Sequence, residues 1–165
     1  NAAGAILTLF QLGFSPDMPL ALKSYIVDKK KNSIRDLERI GVVFRKDGRS
    51  FDRFRGRIIF PLFDHRGNVV GFAGRILPSA GKSSLAKYIN TPETEIYHKS
   101  KILYGLNLTK GEIKKKQEAT VMEGELDVIS SWQVDIKNVV AIKGSSLTED
   151  QARLLLRFSK ELCFH

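Results

Sequence analysis

Glu123 and Asp127, set around Gly124, are the residues of this sequence whose types and spacing best suit chemistry. Val121-Met122 reads as the end of a short buried strand, so Glu123 falls at the strand's carboxyl end, where open α/β sheets bind their ligands. Asp127 follows about four residues later, one turn into a helix, so the two carboxylates can reach a common cavity. Hard oxygen ligands of this kind suit Mg²⁺, which keeps several waters and takes its remaining ligands from substrate phosphates. Two-metal chemistry on phosphates needs several such carboxylates. The competing reading is an acidic first turn that satisfies the helix dipole. It accounts well for Glu125, which is expected at the surface.

A second constellation is basic. Arg53, Arg55 and Arg57 alternate with Phe54 and Gly56 in what reads as one strand. All three would then project from one face, with Phe54 on the other. Like charges so close repel, which points to an anionic partner, and the arginine fork bonds phosphate bidentately. Arg75 at the end of the next strand, with Lys87 and Lys99 beyond it, would extend the surface. The competing reading is a solvated face paired with Asp52 and Asp64. Asn90 carries an amide able to bond a base or ribose, but ahead of Thr91-Pro92 it reads first as turn chemistry. His65 and His98 stand alone among basic residues, which argues against metal ligation. Trp132 and Phe158 read as helix core. Gly144-Ser145-Ser146 before Thr148 is either a set of amides for a phosphate or a plain strand-to-helix loop.

The elements that must position these residues differ along the chain. Residues 5–12 and 19–31 read as helices around a Gly13-Phe14-Ser15-Pro16-Asp17 turn, and Ser33 caps a third helix over 34–40 that Gly41 stops. From Val42 the period changes to two, and strands over 42–44, 51–63 and 69–76 read as an antiparallel meander. Residues 78–84 form a polar loop, and 86–108 give few cues. Lys114-Lys115-Lys116 makes a charged break. After it come a strand to Met122, a helix over 126–133, a strand over 139–142, a helix over 148–158 and a strand over 161–164. That alternation is the signature of a parallel sheet with covering helices.

The expected organisation is therefore an α+β basic N-terminal subdomain, residues 1–116, followed by a partial α/β domain, residues 117–165. Charge divides the same way. The chain carries +9 overall, with +11 in residues 1–120 and −2 in residues 121–165. A basic front of this kind suits a polyanion, since Lys and Arg that neutralise phosphates release counterions. Cys163 is the only cysteine, which excludes an intrachain disulfide and a cysteine-built zinc site within these residues. No apolar run approaches the roughly 18 residues of a membrane span, and the expected location is cytoplasmic. The chain opens on Asn1 and stops within an apolar strand at Leu162-Cys163-Phe164-His165, so both ends read as cut.

Several motifs in order resemble the RNA-polymerase core of bacterial DNA primases, over nearly the whole chain. They are Phe10-Gln11-Leu12-Gly13-Phe14-Ser15-Pro16, the Arg-rich run from Asp52 through Phe60-Pro61-Leu62, Gly67 through Gly74-Arg75, Lys87-Tyr88-Ile89-Asn90-Thr91-Pro92-Glu93-Thr94, Tyr97-His98-Lys99, and Leu103-Tyr104-Gly105-Leu106. Glu123-Gly124 with Asp127 resembles the first motif of a Toprim domain. The resemblance implies a DNA-directed RNA polymerase that makes short primers on single-stranded template from ribonucleoside triphosphates. It implies Mg²⁺ or Mn²⁺ held by Glu123 and Asp127. The implied nucleic-acid and nucleotide contacts are Arg53, Arg55, Arg57, Arg75, Lys87, Tyr88, Asn90 and Lys99. The family's Asp-x-Asp motif would begin at or just after residue 165, where His165 either takes the first Asp position or precedes it. The expectation is an incomplete metal site, a fragment of little activity alone, and a monomer. The family's zinc module and helicase-binding module would lie outside this chain. The alternative is a non-catalytic single-strand-binding module that keeps the basic groove.

Overall fold

The computed structural model describes residues 2–77 and 86–164. The loop expected over 78–84 and the question of His165 fall outside the described residues. Contacts divide the chain into two compact units. One comprises Asn1–Phe10, Leu62–Val70 and His98–His165; the other comprises Gln11–Pro61 and Gly71–Tyr97.

In the second of these, Ser33 caps helix α3 (Ile34–Arg39), its side chain accepting from the Arg35 amide at 3.2 Å, with Asp36 in the first turn. Gly41 ends that segment at φ +73°, where a Cβ would lie 2.6 Å from Pro92 Cδ. The helix expected over 19–31 forms in two pieces, α2 (Ala21–Lys23) and a π-helical turn, Ser24–Lys29. Its start is capped from a distance. Buried Asp52 accepts from the amides of Leu22 at 2.6 Å and Lys23 at 3.0 Å. Strands β2 (Val43–Lys46) and β3 (Arg49–Asp52) make a hairpin across Asp47-Gly48, both at positive φ as a tight hairpin turn requires.

A separate four-stranded sheet has the order β1-β4-β5-β6, from Gly13–Ser15, Arg57–Phe63, Val69–Ile76 and Tyr88–Asn90. Three expectations give way here. The strand read over 51–63 is interrupted at 53–56, where Gly56 takes φ +61° and the Arg53 amide turns back to the Val42 carbonyl at 2.9 Å. The meander therefore splits into a hairpin and a sheet. Gly13-Phe14-Ser15, read as a turn, is a strand paired with Arg57, Ile58 and Ile59. Asn90, read first as turn chemistry, lies in β6 opposite Ala73. Leu37, Val42, Val43 and Phe54 form the core of this unit, with Ile59 and Phe72 packed on it.

In the other unit the lysine run expected to break the chain is instead the last turn of α4 (Leu106–Lys116), where cations meet the carbonyl end of the dipole. Gln117, at φ 56°, ends that helix. Then follow β7 (Glu118–Met122), α5 (Glu125–Gln133), β8 (Val139–Ala141), α6 (Glu149–Leu155) and β9 (Glu161–Phe164), in the alternation predicted. The three strands are parallel, in the order β8-β7-β9. Thr148 and Gln151 form a capping box at the start of α6. The core gathers Leu106 and Ile113 of α4, Ala119 and Val121 of β7, Val140 of β8 and Leu155 of α6, with Phe158 against it. Trp132 packs its ring edge-on, at 5.8 Å, to Phe10, the residue after helix α1 (Ala2–Leu9). No helix among the described residues is long and apolar enough to cross a membrane.

Candidate functional site

The order β8-β7-β9 means that the chain leaves β7 to one side and then returns past it, so the connections reverse direction around the central strand. The crevice outside the carboxyl end of such a strand is where open α/β sheets bind ligands. Glu123 stands there, exposed, directly after Met122. Asp127, also exposed, is the third residue of α5, and its Oδ2 accepts from the Gly124 amide at 3.0 Å. Both side chains line an open cavity of about 440 Å³ together with Met122, Ser130 and Ser131. Asp127 thus satisfies the helix terminus and lines the cavity at once. Two carboxylates match the one or two that Mg²⁺ usually takes from protein. Among the described residues no group of three or more metal-ligating side chains converges.

Glu125 is a correction. Expected at the surface, it is 5% exposed and its Oε1 pairs with Lys143 Nζ, also buried. The start of α5 is therefore acidic on two sides, with Asp127 and the preceding Glu123 exposed and Glu125 inward. Sequence reading missed Lys143; a lysine just after an apolar strand was the available signal. Tyr104, beside this pair, keeps its proton far above the ordinary tyrosine range, because burial and then the Glu125 charge both disfavour the phenolate.

Lys99 lies in the same unit. It opens a 3₁₀ turn, Lys99–Lys101, fastened to the start of α6: Gln151 Nε2 donates to the carbonyls of Lys99 at 3.2 Å and Ile102 at 2.9 Å. A Cβ on Gly144 would meet Lys99 Cε at 4.0 Å, so the exposed lysine runs over the loop that follows β8.

The arginines of the other unit do not share a face. Arg53 donates from Nε to the Gly41 carbonyl at 2.7 Å and lies 5.6 Å from the Phe44 ring centroid. Arg57 is buried and donates to the carbonyls of Ala86 at 2.9 Å, Lys87 at 3.2 Å and Gly74 at 3.3 Å. Burial lowers the pKa of both guanidiniums. Arg55 alone of the three is exposed, 3.7 Å from Asp17. The charged partners expected for this face are engaged elsewhere, Asp52 with α2 and Asp64 with its own turn, where Oδ1 accepts three backbone amides.

Register does bring together Arg75, Tyr88 and Lys87. Arg75 pairs with Tyr88 across β5 and β6. Its guanidinium lies 5.4 Å from that ring's centroid and Lys87 Nζ lies 6.0 Å from it. Tyr88 is 40% exposed, and Asn90 follows two residues along the same strand, partly buried. An accessible ring flanked by cations is the pattern on which single-stranded nucleic acid stacks.

A parallel sheet with a Glu at the tip of its central strand and an Asp in the following helix is a Toprim-like arrangement, and residues 120–165 match the Toprim-like family. Residues 2–110 match the N-terminal domain of the DNA primase catalytic core, and the chain belongs to that family. Among curated relatives, the DNA primase of Geobacillus stearothermophilus is 43% identical over 88% of this chain, and that of Clostridium acetobutylicum 41% over 93%. The chain spans 24% and 25% of their lengths. The RNA polymerase domain of Mycobacterium tuberculosis primase DnaG, solved with a double-stranded DNA oligomer bearing an overhang, superposes with a TM-score of 0.87 at 30% identity. That match covers 97% of this chain and 51% of that one. The Escherichia coli primase catalytic core gives 0.84 at 33% identity, over 98% and 50%. The fold class is the one expected, an α+β subdomain leading into part of a Toprim sheet.

Proposed function

We propose that this chain is part of a DNA primase, a DNA-directed RNA polymerase that joins ribonucleotides into short primers on single-stranded template. The observation that carries the reading is the shared cavity of Glu123 and Asp127 at the carboxyl end of β7. A divalent cation, Mg²⁺ or Mn²⁺, would be held there by these two residues and would offset the charge of the triphosphate and favour deprotonation of the attacking hydroxyl. Waters, substrate phosphates and further carboxylates would complete its shell. The relatives' names and the solved DnaG catalytic domain bound to single-stranded DNA support the choice of substrate.

Within this reading residues 1–116 hold template and nucleotide, and 117–165 hold the metal. Arg75, Lys87 and Tyr88 would stack and neutralise the template strand, with Asn90 on a base or ribose edge. Arg55 would contact phosphate, and Lys99 the incoming triphosphate. Arg53 and Arg57 would act through the shape of the groove, since their guanidiniums hold backbone carbonyls.

Incorporation of labelled ribonucleotides on single-stranded DNA by the gene-length protein, beside its Glu123→Gln variant, tests this. Short RNA products from the parent that vanish in the variant are expected. No product from either, with DNA binding intact, would leave a single-strand-binding module.

A further inference from the structure

We infer that the buried Glu125–Lys143 ion pair is a positioning device that sets the direction of Glu123 and Asp127; this rests on the metal reading above. Glu125 stands between the two carboxylates in sequence but faces inward, and both partners are almost wholly enclosed, at 6% and 5% side-chain exposure. The pair joins the segments that leave two neighbouring parallel strands at the same end. Glu125 opens α5 after β7, and Lys143 lies two residues beyond β8.

The base from which Lys143 reaches is fixed on both sides. The Ile142 amide donates to the Met122 carbonyl at 3.1 Å, closing β8 onto β7. Tyr104 and Ala141 exchange backbone hydrogen bonds of 2.8 and 3.1 Å on the other edge of β8. The turn that carries Glu123, by contrast, has no side chain at its cap, since the residue there is Gly124. Within the turn Asp127 Oδ2 accepts from the Gly124 amide at 3.0 Å, which ties the two ends of the motif together, and Glu125 is what ties the turn to the segment after β8.

Stability alone does not account for such a pair. Removing two charges from water costs about as much as their attraction returns, and apolar residues of similar volume often serve as well or better. An ion pair differs from an apolar contact in being directional. Lys143 draws the Glu125 carboxylate to one point, and the backbone from Glu123 to Asp127 must follow. With Lys143 gone, an unpaired carboxylate would turn towards water and roll the first turn of α5, displacing Glu123 and Asp127 from their place at the end of β7. Outer-shell partners of metal ligands typically alter affinity by about 10–100-fold when removed.

The test is Mn²⁺ titration followed by electron paramagnetic resonance on the gene-length protein, below the melting temperature of the least stable variant. The signal of interest is the Mn²⁺ bound in the parent and lost in Glu123→Gln. Lys143→Met and the double variant Glu125→Met/Lys143→Met should both bind that Mn²⁺ at least about tenfold more weakly, while single-stranded DNA affinity is retained. The double variant guards against misfolding, because it leaves no buried unpaired charge. Parent-like Mn²⁺ affinity in the double variant would overturn the inference, reducing the pair to packing. If Glu123→Gln binds Mn²⁺ as the parent does, the metal reading itself falls and the inference with it.

Discussion

Replacing Arg57 with Met separates two roles that a basic residue in this family can have. The side chain is 5% exposed and donates three hydrogen bonds to the carbonyls of Gly74, Lys87 and Ala86, two of them at 3.2 Å or longer. At about 1 kcal/mol for each bond, below the usual range for a charged donor because of those lengths, the three contribute about 3 kcal/mol. Loss of the buried charge returns part of that, since burial already lowers the guanidinium's pKa. A net cost of about 2 kcal/mol remains. For a chain of this size that corresponds to a fall in Tm of roughly 4–8 °C. Circular dichroism melting of Arg57→Met reads this directly, and single-stranded DNA affinity against salt reads the other role. A phosphate contact removes about one unit of salt slope when lost, whereas a residue holding the β6 edge leaves the slope unchanged. Parent-like melting with a reduced slope would refute the structural assignment.

Two further substitutions probe the local reasoning. Asp64 is partly buried, which opposes its charge, but hydrogen bonds from the Asn68 side chain and from the amides of Asn68, Arg66 and Gly67 outweigh this and hold its carboxyl below the ordinary range. Its contribution is therefore present above the unfolded value of about 4 and lost as pH falls through the lower folded value. Urea unfolding of the parent and Asp64→Asn should differ by a constant amount above about pH 5 and converge on acidification; a difference that grows on acidification would contradict this. Gly41 and Gly48 sit at φ +73° and +72°, but a Cβ meets Pro92 at 2.6 Å only at Gly41, with open space at Gly48. Gly41→Ala should cost about 1–3 kcal/mol more than Gly48→Ala, and equal urea midpoints would show that Pro92 yields freely.

What was legible in the sequence follows from the range over which each signal acts. The Ser33 cap and the alternation of strand and helix after Met122 are local, and both appear as expected. The interruption at 53–56 was not legible. Alternation of Arg with Phe and Gly is what a strand looks like, yet Asp52 is drawn to amides 29 and 30 residues earlier and Arg53 to a carbonyl 12 residues earlier. These long-range polar contacts override the period. The same holds for β1, three residues whose strand character comes from β4 rather than from their own composition.

The candidate site divides along the same line. That Glu123 and Asp127 would reach a common cavity was legible because a strand end, a glycine and a helix start fix their relation locally. Arg75, Lys87 and Tyr88 were named individually, but the cluster they form is a product of β5–β6 register. Glu125 was misread for a specific reason: an acidic residue in a first turn is sufficiently explained by the helix dipole, so its type carried no hint of burial. Only Lys143, 18 residues away, turns it inward. A carboxylate's identity is thus written in the sequence nearby, while its direction is set by a partner elsewhere in the sheet. On the inference drawn above, the same partner also aims Glu123 and Asp127, the carboxylates on either side of Glu125.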